Sequence, residues 1–507
     1  MNDQLFENAR QARDPRFDGR FFVAVKTTGI YCRPVCKVRI PLAKNVDFYG
    51  SAAAAQEAGF RPCLRCRPES APGTPAWKGT STTVNRALRL ISEGALDSGS
   101  IDALSDRLGI TPRHLSRLFS QHIGVAPKAV AQTRRLQIAK KLIDETPFSI
   151  TDIALLSGYK SVRRFNDHFK HVYARTPSSL RKNAGRQKTV CRNSSGVEQG
   201  FNLRLSYRPP FDFSGILNFL KVRAVPGVEY VDADHYRRVI KTHQGTGILA
   251  VGLDEEARQL LVQVTGILPD ELVPVLERVK RIFDLDADPI EINQAISRDR
   301  RMRKIIAENP GQRVPGCWDP FEIAVRAIVG QQVSVKGATT VMGRIAAMYG
   351  IKNRDNVDVK DVDLQGANRA ADELDKEVLC LGFPSPERLS ELDTKTLSMP
   401  TRRAQAIKDM SRAVVNGDVS FDTSVSLDEL KLSLLNIKGI GPWTAEYIAM
   451  RAVNDPNAFL HSDLVLLKVA LTEFSINKPD QLLDLSKAWQ PWRAYAGMHL
   501  WRRAVKK

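Results

Sequence analysis

The 507-residue sequence has no run of about 18 consecutive apolar residues, the length needed to cross a bilayer. Its opening residues, Met1-Asn2-Asp3-Gln4, lack the charged-then-apolar pattern of a secretory signal. The expected location is therefore cytoplasmic, with no membrane partner. Cysteine is scarce: there are seven, and Cys191, Cys317 and Cys380 stand isolated, read as buried apolar residues rather than a disulfide framework. Acidic residues are in deficit, 56 against 75 Lys plus Arg, for a net charge of +19. That balance suits a polyanionic partner, nucleic acid first, although a basic surface can also be merely solvated. No repeat at solenoid period is present.

The chain is too long for one ordinary core, and an apolar content of 43% supports globular domains throughout. Residues 1 to about 70 are mixed, with a strand-like run from Arg20 to Val25. A Pro/Gly/Ser/Thr-rich stretch from Ala71 to Thr83 reads as a linker. Residues 84–182 carry apolar residues at three- and four-residue steps and read as helical. Gly185 to Gly200 is polar and reads as a second linker. From 201 to about 285 strand and helix patterns alternate, with strands expected at Ile248–Val251 and Gln259–Val264, and helices dominate from about 290. The expected division is 1–75, 82–183, 201–290 and 291–507.

The other four cysteines form Cys32-x3-Cys36 and Cys63-x2-Cys66, the spacing of four thiolates closing a tetrahedral zinc site. Spacing alone suits a structural zinc knuckle. The surroundings are cationic, however, with Arg33, Lys37, Arg39, Arg61, Arg65 and Arg67 beside the ligands. Four thiolates on one zinc carry a formal charge near −2, so the sulfurs stay electron-rich. Such a thiolate can displace a methyl group in line from a phosphotriester. Loss of one negative charge would then ease approach to DNA phosphates.

Two helix-turn-helix patterns follow. Ile101–Leu108 is an amphipathic helix, Gly109-Ile110 a turn, and Thr111 a cap for a helix that Pro112 begins. Arg113, His114, Ser116 and Arg117 fall on its outer side, with Leu115, Leu118 and Phe119 inward. Ile150–Leu156 leads through Gly158-Tyr159 to a second such helix, with Arg163, Arg164 and Asn166 outward as candidate major-groove readers. Either unit alone could equally be an ordinary helical hairpin.

Near the C-terminus stands Leu435-Asn436-Ile437-Lys438-Gly439-Ile440-Gly441-Pro442-Trp443-Thr444-Ala445-Glu446-Tyr447. Gly439 and Gly441 permit a tight turn with exposed amides, and Pro442 suits the first position of a helix. Amides at a helix N-terminus bind phosphate without reading sequence. Phe459-Leu460-His461-Ser462-Asp463-Leu464 follows. By itself Asp463 reads as a helix cap. Placed after a DNA-clamping hairpin, it could instead stabilise the oxocarbenium charge that develops on a sugar as its base departs, and orient the attacking water.

These motifs resemble known families. Phe22 to Cys36 together with Gly59 to Cys66 resembles the N-terminal domain of the Ada methyl-phosphotriester transferases, over about residues 5–70. That resemblance implies zinc bound by Cys32, Cys36, Cys63 and Cys66, with Cys32 the methyl acceptor. The Pro-Cys-His-Arg motif of the alkylguanine-repair domain often joined to it does not occur here. The paired helix-turn-helix units, closing on Tyr173-Ala174-Arg175-Thr176-Pro177, resemble the AraC-type regulators and imply DNA contacts by Arg113, Arg117, Arg163 and Arg164.

Residues 201–507 resemble the AlkA-type 3-methyladenine DNA glycosylase II family of the helix-hairpin-helix superfamily, through that hairpin, Val314 to Glu322, and Ala327 to Val335. The likeness implies Asp463 as catalytic carboxylate, Trp443, Tyr447 and Trp501 as an aromatic pocket for a cationic alkylated base, and DNA contacts by Gly439, Gly441, Gln331 and Gln332. Bifunctional relatives place a lysine where Trp443 stands, so a monofunctional enzyme without lyase activity is expected. No cysteine follows Cys380 to hold an iron-sulfur cluster. Gln332 takes the place of an apolar wedge.

The expected fold is multidomain and mainly α with α+β parts. It comprises a small α/β zinc domain, an all-α double helix-turn-helix domain, an α+β glycosylase N-domain and an all-α helix-hairpin-helix domain. The expected function is alkylation repair with adaptive-response regulation. The alternative is principally a transcription regulator whose C-terminal part only binds DNA. Expected partners are one Zn2+, double-stranded DNA, with RNA polymerase a candidate, in a bacterial, DNA-associated monomer.

Overall fold

The computed structural model describes residues 3–72, 82–183, 191–192, 198–243, 245–357 and 379–505. The architecture is multidomain and mostly helical, with three sheets among the described residues. No helix of the described residues is long and apolar enough to cross a membrane.

After a helix at Asp3–Gln11 comes a four-stranded sheet in the order Val46–Tyr49, Phe22–Val25, Ile30–Cys32, Arg61–Pro62. Its first three strands pair antiparallel and the last lies parallel to Ile30–Cys32. Phe22–Val25 is buried at every position because both faces of the sheet are covered. Val23 packs with Ala9, Phe17 and Phe21, while Phe22 and Ala24 face Tyr31, Ala52 and Ala55, the period-two alternation of a strand. The parallel pairing joins the two cysteine pairs: Arg61 N–H donates to the Gly29 carbonyl and Cys63 N–H to that of Tyr31.

Both helix-turn-helix units form as read. Ile101–Leu108 is followed by Gly109 at φ +69° and by Pro112–His122, which Thr111 caps by accepting the His114 N–H at 3.3 Å. Ile150–Leu156 precedes Val162–Tyr173, which Ser161 caps. Leu115, Phe119, Phe165 and Phe169 are fully buried, each stabilising the docking of its helix by about 1.5–3 kcal/mol. The 19-residue helix Pro127–Glu145 joins the two units. It also receives the cysteine-bearing region: Thr133 donates to Gln56 Oε1 at 2.6 Å, Lys140 to Glu69 at 3.2 Å, and Arg67 pairs with Asp144 at 2.5 Å.

A six-stranded antiparallel sheet follows, in the order Cys191–Arg192, Glu198–Ser206, Gln259–Thr265, Gly245–Asp254, Tyr236–Thr242, Glu229–Val231. The linker expected over Gly185–Gly200 is corrected here. Cys191–Arg192 and Glu198 onward are strand, because Leu203 and Leu205 point into the core and draw the preceding residues into register with Gln259–Thr265. Residues 184–190 and 193–197 lie outside the described residues, as do 73–81 of the first linker. The sheet shares one buried cluster with the second helix-turn-helix unit, and the Phe148 and Phe201 rings lie 5.0 Å apart.

The rest is a helical body built around Pro320–Val329, buried at every position after Pro320, and Pro442–Ala452. One element departs from the all-helical expectation beyond 291: Ile351–Val357 pairs antiparallel with Leu379–Gly382. The first helix-turn-helix unit docks on this body. Arg86 Nε donates to the Thr423 carbonyl at 3.2 Å, Arg89 to that of Val453 at 2.9 Å, and Arg107 pairs with Asp422 at 3.1 Å. Cys317 and Cys380 are free and half-buried rather than buried as expected, since each lies where elements meet and not inside a core. The Cys191 side chain lies outside the described residues.

Candidate metal centre and carboxylate pocket

The Sγ atoms of Cys32, Cys36, Cys63 and Cys66 all lie within 4.8 Å of one another. Tetrahedral zinc with Zn–S bonds of about 2.3 Å needs sulfurs about 3.8 Å apart, so the four thiols fit that ion. Cys32, Cys36 and Cys63 are buried and Cys66 is half-exposed. Backbone N–H groups address three of the sulfurs: Val38 to Cys36, Cys66 to Cys63, and Arg33 to Cys66 at 3.3 Å. Cys32 is influenced chiefly by the other three thiols.

The charge around the site is more structured than the sequence suggests. Arg33 is tied to Asp18, with Nε to Oδ1 at 2.9 Å, and Arg67 pairs with Asp144, Glu69 and Glu145. Lys37, Arg39, Arg61 and Arg65 remain exposed, and these supply the outward positive charge. Apart from Glu69, two residues from Arg67, the carboxylate partners are remote in sequence, so no local signal announced them. On the helix-turn-helix units, Arg113, His114, Arg117, Arg163 and Arg164 are exposed, while Ser116 and Asn166 are half-buried.

In the C-terminal body, Leu427–Leu435 ends before a turn in which Ile440 N–H donates to the Ile437 carbonyl at 3.0 Å. Gly439 has φ +98°, and a Cβ there would lie 3.2 Å from that of Ala406, so both conformation and space call for glycine. Gly441 caps Pro442–Ala452 with no side-chain partner for the helix amides, and a Cβ at that position would meet nothing within 4 Å. The hairpin therefore opens its amides outward, the arrangement that receives a phosphate.

Asp463 caps Leu464–Phe474: Oδ1 accepts the N–H groups of Val465 and Leu466, each at 3.0 Å. The same carboxylate takes two indole N–H groups, from Trp501 to Oδ1 at 3.0 Å and from Trp443 to Oδ2 at 3.2 Å. Trp443 stacks on Tyr447 with ring centroids 5.4 Å apart and planes 10° from parallel. Two indoles from two helices thus converge on one carboxylate, whose geometry is fixed by four N–H donors, and Tyr447 stacks on one of those indoles.

Gln331 and Gln332 separate. The Gln331 amide is held within the protein, donating to the Gly439 carbonyl at 2.9 Å and to Thr444 at 3.1 Å, so it braces the hairpin. Gln332 is exposed and left-handed at φ +57°. Sequence reasoning missed three arginines gathered at Tyr447: Arg451, Arg223 and Arg326. Arg451 stands four residues after Tyr447 on one helix, a spacing that could have flagged it. Arg223 and Arg326 come from distant segments and carry no such signal.

Comparison with known proteins gives three family matches: the metal binding domain of Ada over residues 6–69, a helix-turn-helix domain over 104–183 and the AlkA N-terminal domain over 202–319. The "Probable bifunctional transcriptional activator/DNA repair enzyme AlkA" of Mycobacterium tuberculosis is 40% identical over 497 residues, covering 97% of this chain and 95% of that protein. DNA-3-methyladenine glycosylase 2 of Escherichia coli is 32% identical over 300 residues, 59% of this chain and 95% of that one. The bifunctional transcriptional activator/DNA repair enzyme Ada of Escherichia coli is 40% identical over 158 residues, 31% of this chain and 43% of its own length.

Proposed function

The chain belongs to the family of bifunctional transcriptional activator/DNA repair enzymes of the AlkA kind, and from that membership we propose that it carries two separate repair chemistries, each with its own residues. The division follows 1–75 for methyl acceptance, 82–183 for operator reading, and 201–290 with 291–507 for base excision. One zinc ion is the cofactor, and Cys32, Cys36, Cys63 and Cys66 are its ligands. Zinc keeps the thiolates deprotonated and electron-rich.

Cys32 is the methyl acceptor. Its Sγ attacks the methyl carbon of a phosphotriester in line; the S–C bond forms as the C–O bond breaks, and the electron pair stays on the restored phosphodiester oxygen. A hydrogen bond to sulfur draws off nucleophilic density. The backbone N–H groups at Cys36, Cys63 and Cys66 therefore favour Cys32, even though Cys66 is the more exposed. The exposed Lys37, Arg39, Arg61 and Arg65 hold the DNA backbone nearby. Arg113, Arg117, Arg163 and Arg164 read the major groove of double-stranded DNA, and RNA polymerase is a further partner of the activator.

The excision reading is carried by one observation: Asp463 is held by the indole N–H groups of Trp443 and Trp501 beside the outward-opening hairpin. The hairpin amides at Gly439 and Gly441 grip a phosphate, and the flipped alkylated base enters beside Trp443, Tyr447 and Trp501. As the glycosidic bond breaks, its electrons leave with the base, Asp463 faces the positive charge left on the sugar, and water adds to the anomeric carbon with loss of a proton to solvent. Exposed Gln332 fills the gap in the duplex. With Trp443 in place of a lysine, no amine forms a Schiff base, and the product is an intact strand with an abasic site. The test is incubation with a duplex carrying 3-methyladenine. Free base, unbroken strand and no borohydride-trapped adduct are expected; strand scission or a trapped adduct would overturn the monofunctional reading.

A further inference from the structure

Tyr447 is buried, and three guanidiniums reach it from three different segments. Arg451, on its own helix, donates to Tyr447 Oη at 3.1 Å. Arg223 approaches the phenol from the segment after the helix Phe213–Lys221, and the charge of Arg326 acts on it from Pro320–Val329. Arg326 and Arg451 are themselves buried. Each also donates to the main chain: Arg223 to the Phe219 carbonyl, Arg326 to that of Arg223, and Arg451 to those of Pro315 and Gly316. Arg223 and Arg451 also lie over the Phe219 ring, 3.8 and 4.8 Å from its centroid. Among the described residues, none of the three is in an ion pair with a carboxylate; the nearby Glu322 is committed to Arg238 at 2.9 Å. The half-buried Cys317 thiol near Arg451 is pushed up to about 12 by desolvation and stays neutral. Three positive charges, two of them buried, thus gather at one phenol with no carboxylate paired to them, an arrangement that burial makes costly unless an anion is supplied.

We propose that Tyr447 supplies that anion, ionising to a phenolate held by Arg223, Arg326 and Arg451, and that its charge sets the preference of the pocket for cationic over neutral bases. The inference rests on the excision reading above. On ionisation the phenol proton passes to solvent, and the cluster falls from three positive charges to two. The negative charge spreads over the ring that stacks on Trp443, enriching the aromatic wall that a cationic base meets. Burial pushes a phenol upward, and here the three arginines more than offset it, holding Tyr447 below its ordinary value.

Two measurements on the full chain test this. The first is absorbance titration at the tyrosinate band, without DNA. One of the ten tyrosines should ionise below the ordinary value of about 10. That component should vanish in Tyr447→Phe and move upward in Arg326→Met. A Tyr447→Phe titration superimposable on wild type would overturn the proposal. Should Tyr447→Phe fail to fold by circular dichroism, an early component unmoved in Arg326→Met would overturn it equally.

The second is the ratio of release of a cationic base, 7-methylguanine, to a neutral one, hypoxanthine, from otherwise identical duplexes. The wild-type ratio should rise with pH through the Tyr447 ionisation. In Tyr447→Phe it should be flat and about tenfold lower at high pH. An unchanged ratio would overturn the assigned role. Failure of wild type to release any base would sink the excision reading alone, because the titration is scored without DNA.

Discussion

Replacing Asp463 by Asn separates two roles that coincide in one side chain. If Asp463 were only a helix cap, Asn would serve nearly as well, since the two residues cap comparably. Asn can keep the Oδ1 contacts to the N–H groups of Val465, Leu466 and Trp501. At the Oδ2 position its NH2 would face the Trp443 N–H, now 3.2 Å from an acceptor. That mismatch should cost about 1–2 kcal/mol of stability. Catalysis should suffer more. A carboxylate about 4 Å from the positive sugar contributes roughly 4 kcal/mol at an effective dielectric near 20. Since about 1.4 kcal/mol is a tenfold change in rate, base release should fall roughly a thousandfold. Single-turnover release of 3-methyladenine, with circular dichroism and urea unfolding of the variant alongside, measures both. A folded Asp463→Asn chain that releases base within tenfold of wild type would refute the catalytic assignment and leave the cap alone.

Arg113→Ala and Arg163→Ala should each weaken operator binding while leaving base release unchanged. A loss of about 1–3 kcal/mol confined to one base position marks a base reader, and a salt slope reduced by about one marks a phosphate contact; unchanged binding in both would remove these helices from the interface. Gln331→Ala removes the donor to Gly439 and Thr444, so DNA affinity should fall several-fold through a loosened hairpin, with faster amide exchange over 437–444; exchange as slow as wild type would contradict the bracing role. Asp284 is buried and accepts the Tyr495 hydroxyl at 2.7 Å. Burial pushes its carboxyl up to about 7, against Arg313, which lowers it. The folded state thus favours the protonated form, and the contribution of Asp284 is full below about pH 4 and lost as pH rises to about 7. Urea midpoints should fall over that window and fall less in Asp284→Asn; an identical slope would refute the assignment.

What was legible in the sequence was local. The cap Thr111, the glycine-proline hairpin and the cysteine spacing are fixed by residues within a few positions of each other, and each formed where it was read. The approach of Trp501 to Asp463 depends on packing between the helices Leu464–Phe474 and Arg493–Val505, and the family resemblance, not periodicity, supplied it. Features made by distant partners stayed hidden. Asp18 and Asp144 neutralise Arg33 and Arg67, so the cationic surroundings of the cysteines are narrower than composition suggests. The pair Ile351–Val357 and Leu379–Gly382 depends on contacts outside each strand's own sequence, and so does the strand beginning at Glu198. The family likeness implied a DNA contact for Gln331 as for Gln332, and the Gln331 amide donates to the Gly439 carbonyl and Thr444, partners that lie more than a hundred residues away.

The central claim is that one chain holds two independent repair chemistries, a single-use thiolate at Cys32 and a turnover site at Asp463. The direct measurement is incubation of the full chain with methyl-labelled alkylated DNA, scoring label on protein and methylated purines in solution. Wild type should do both, Cys32→Ala should release purines without taking label, and Asp463→Asn should take label without releasing purines. Label that still reaches Cys32→Ala, or one substitution that abolishes both signals in a folded protein, would contradict the account.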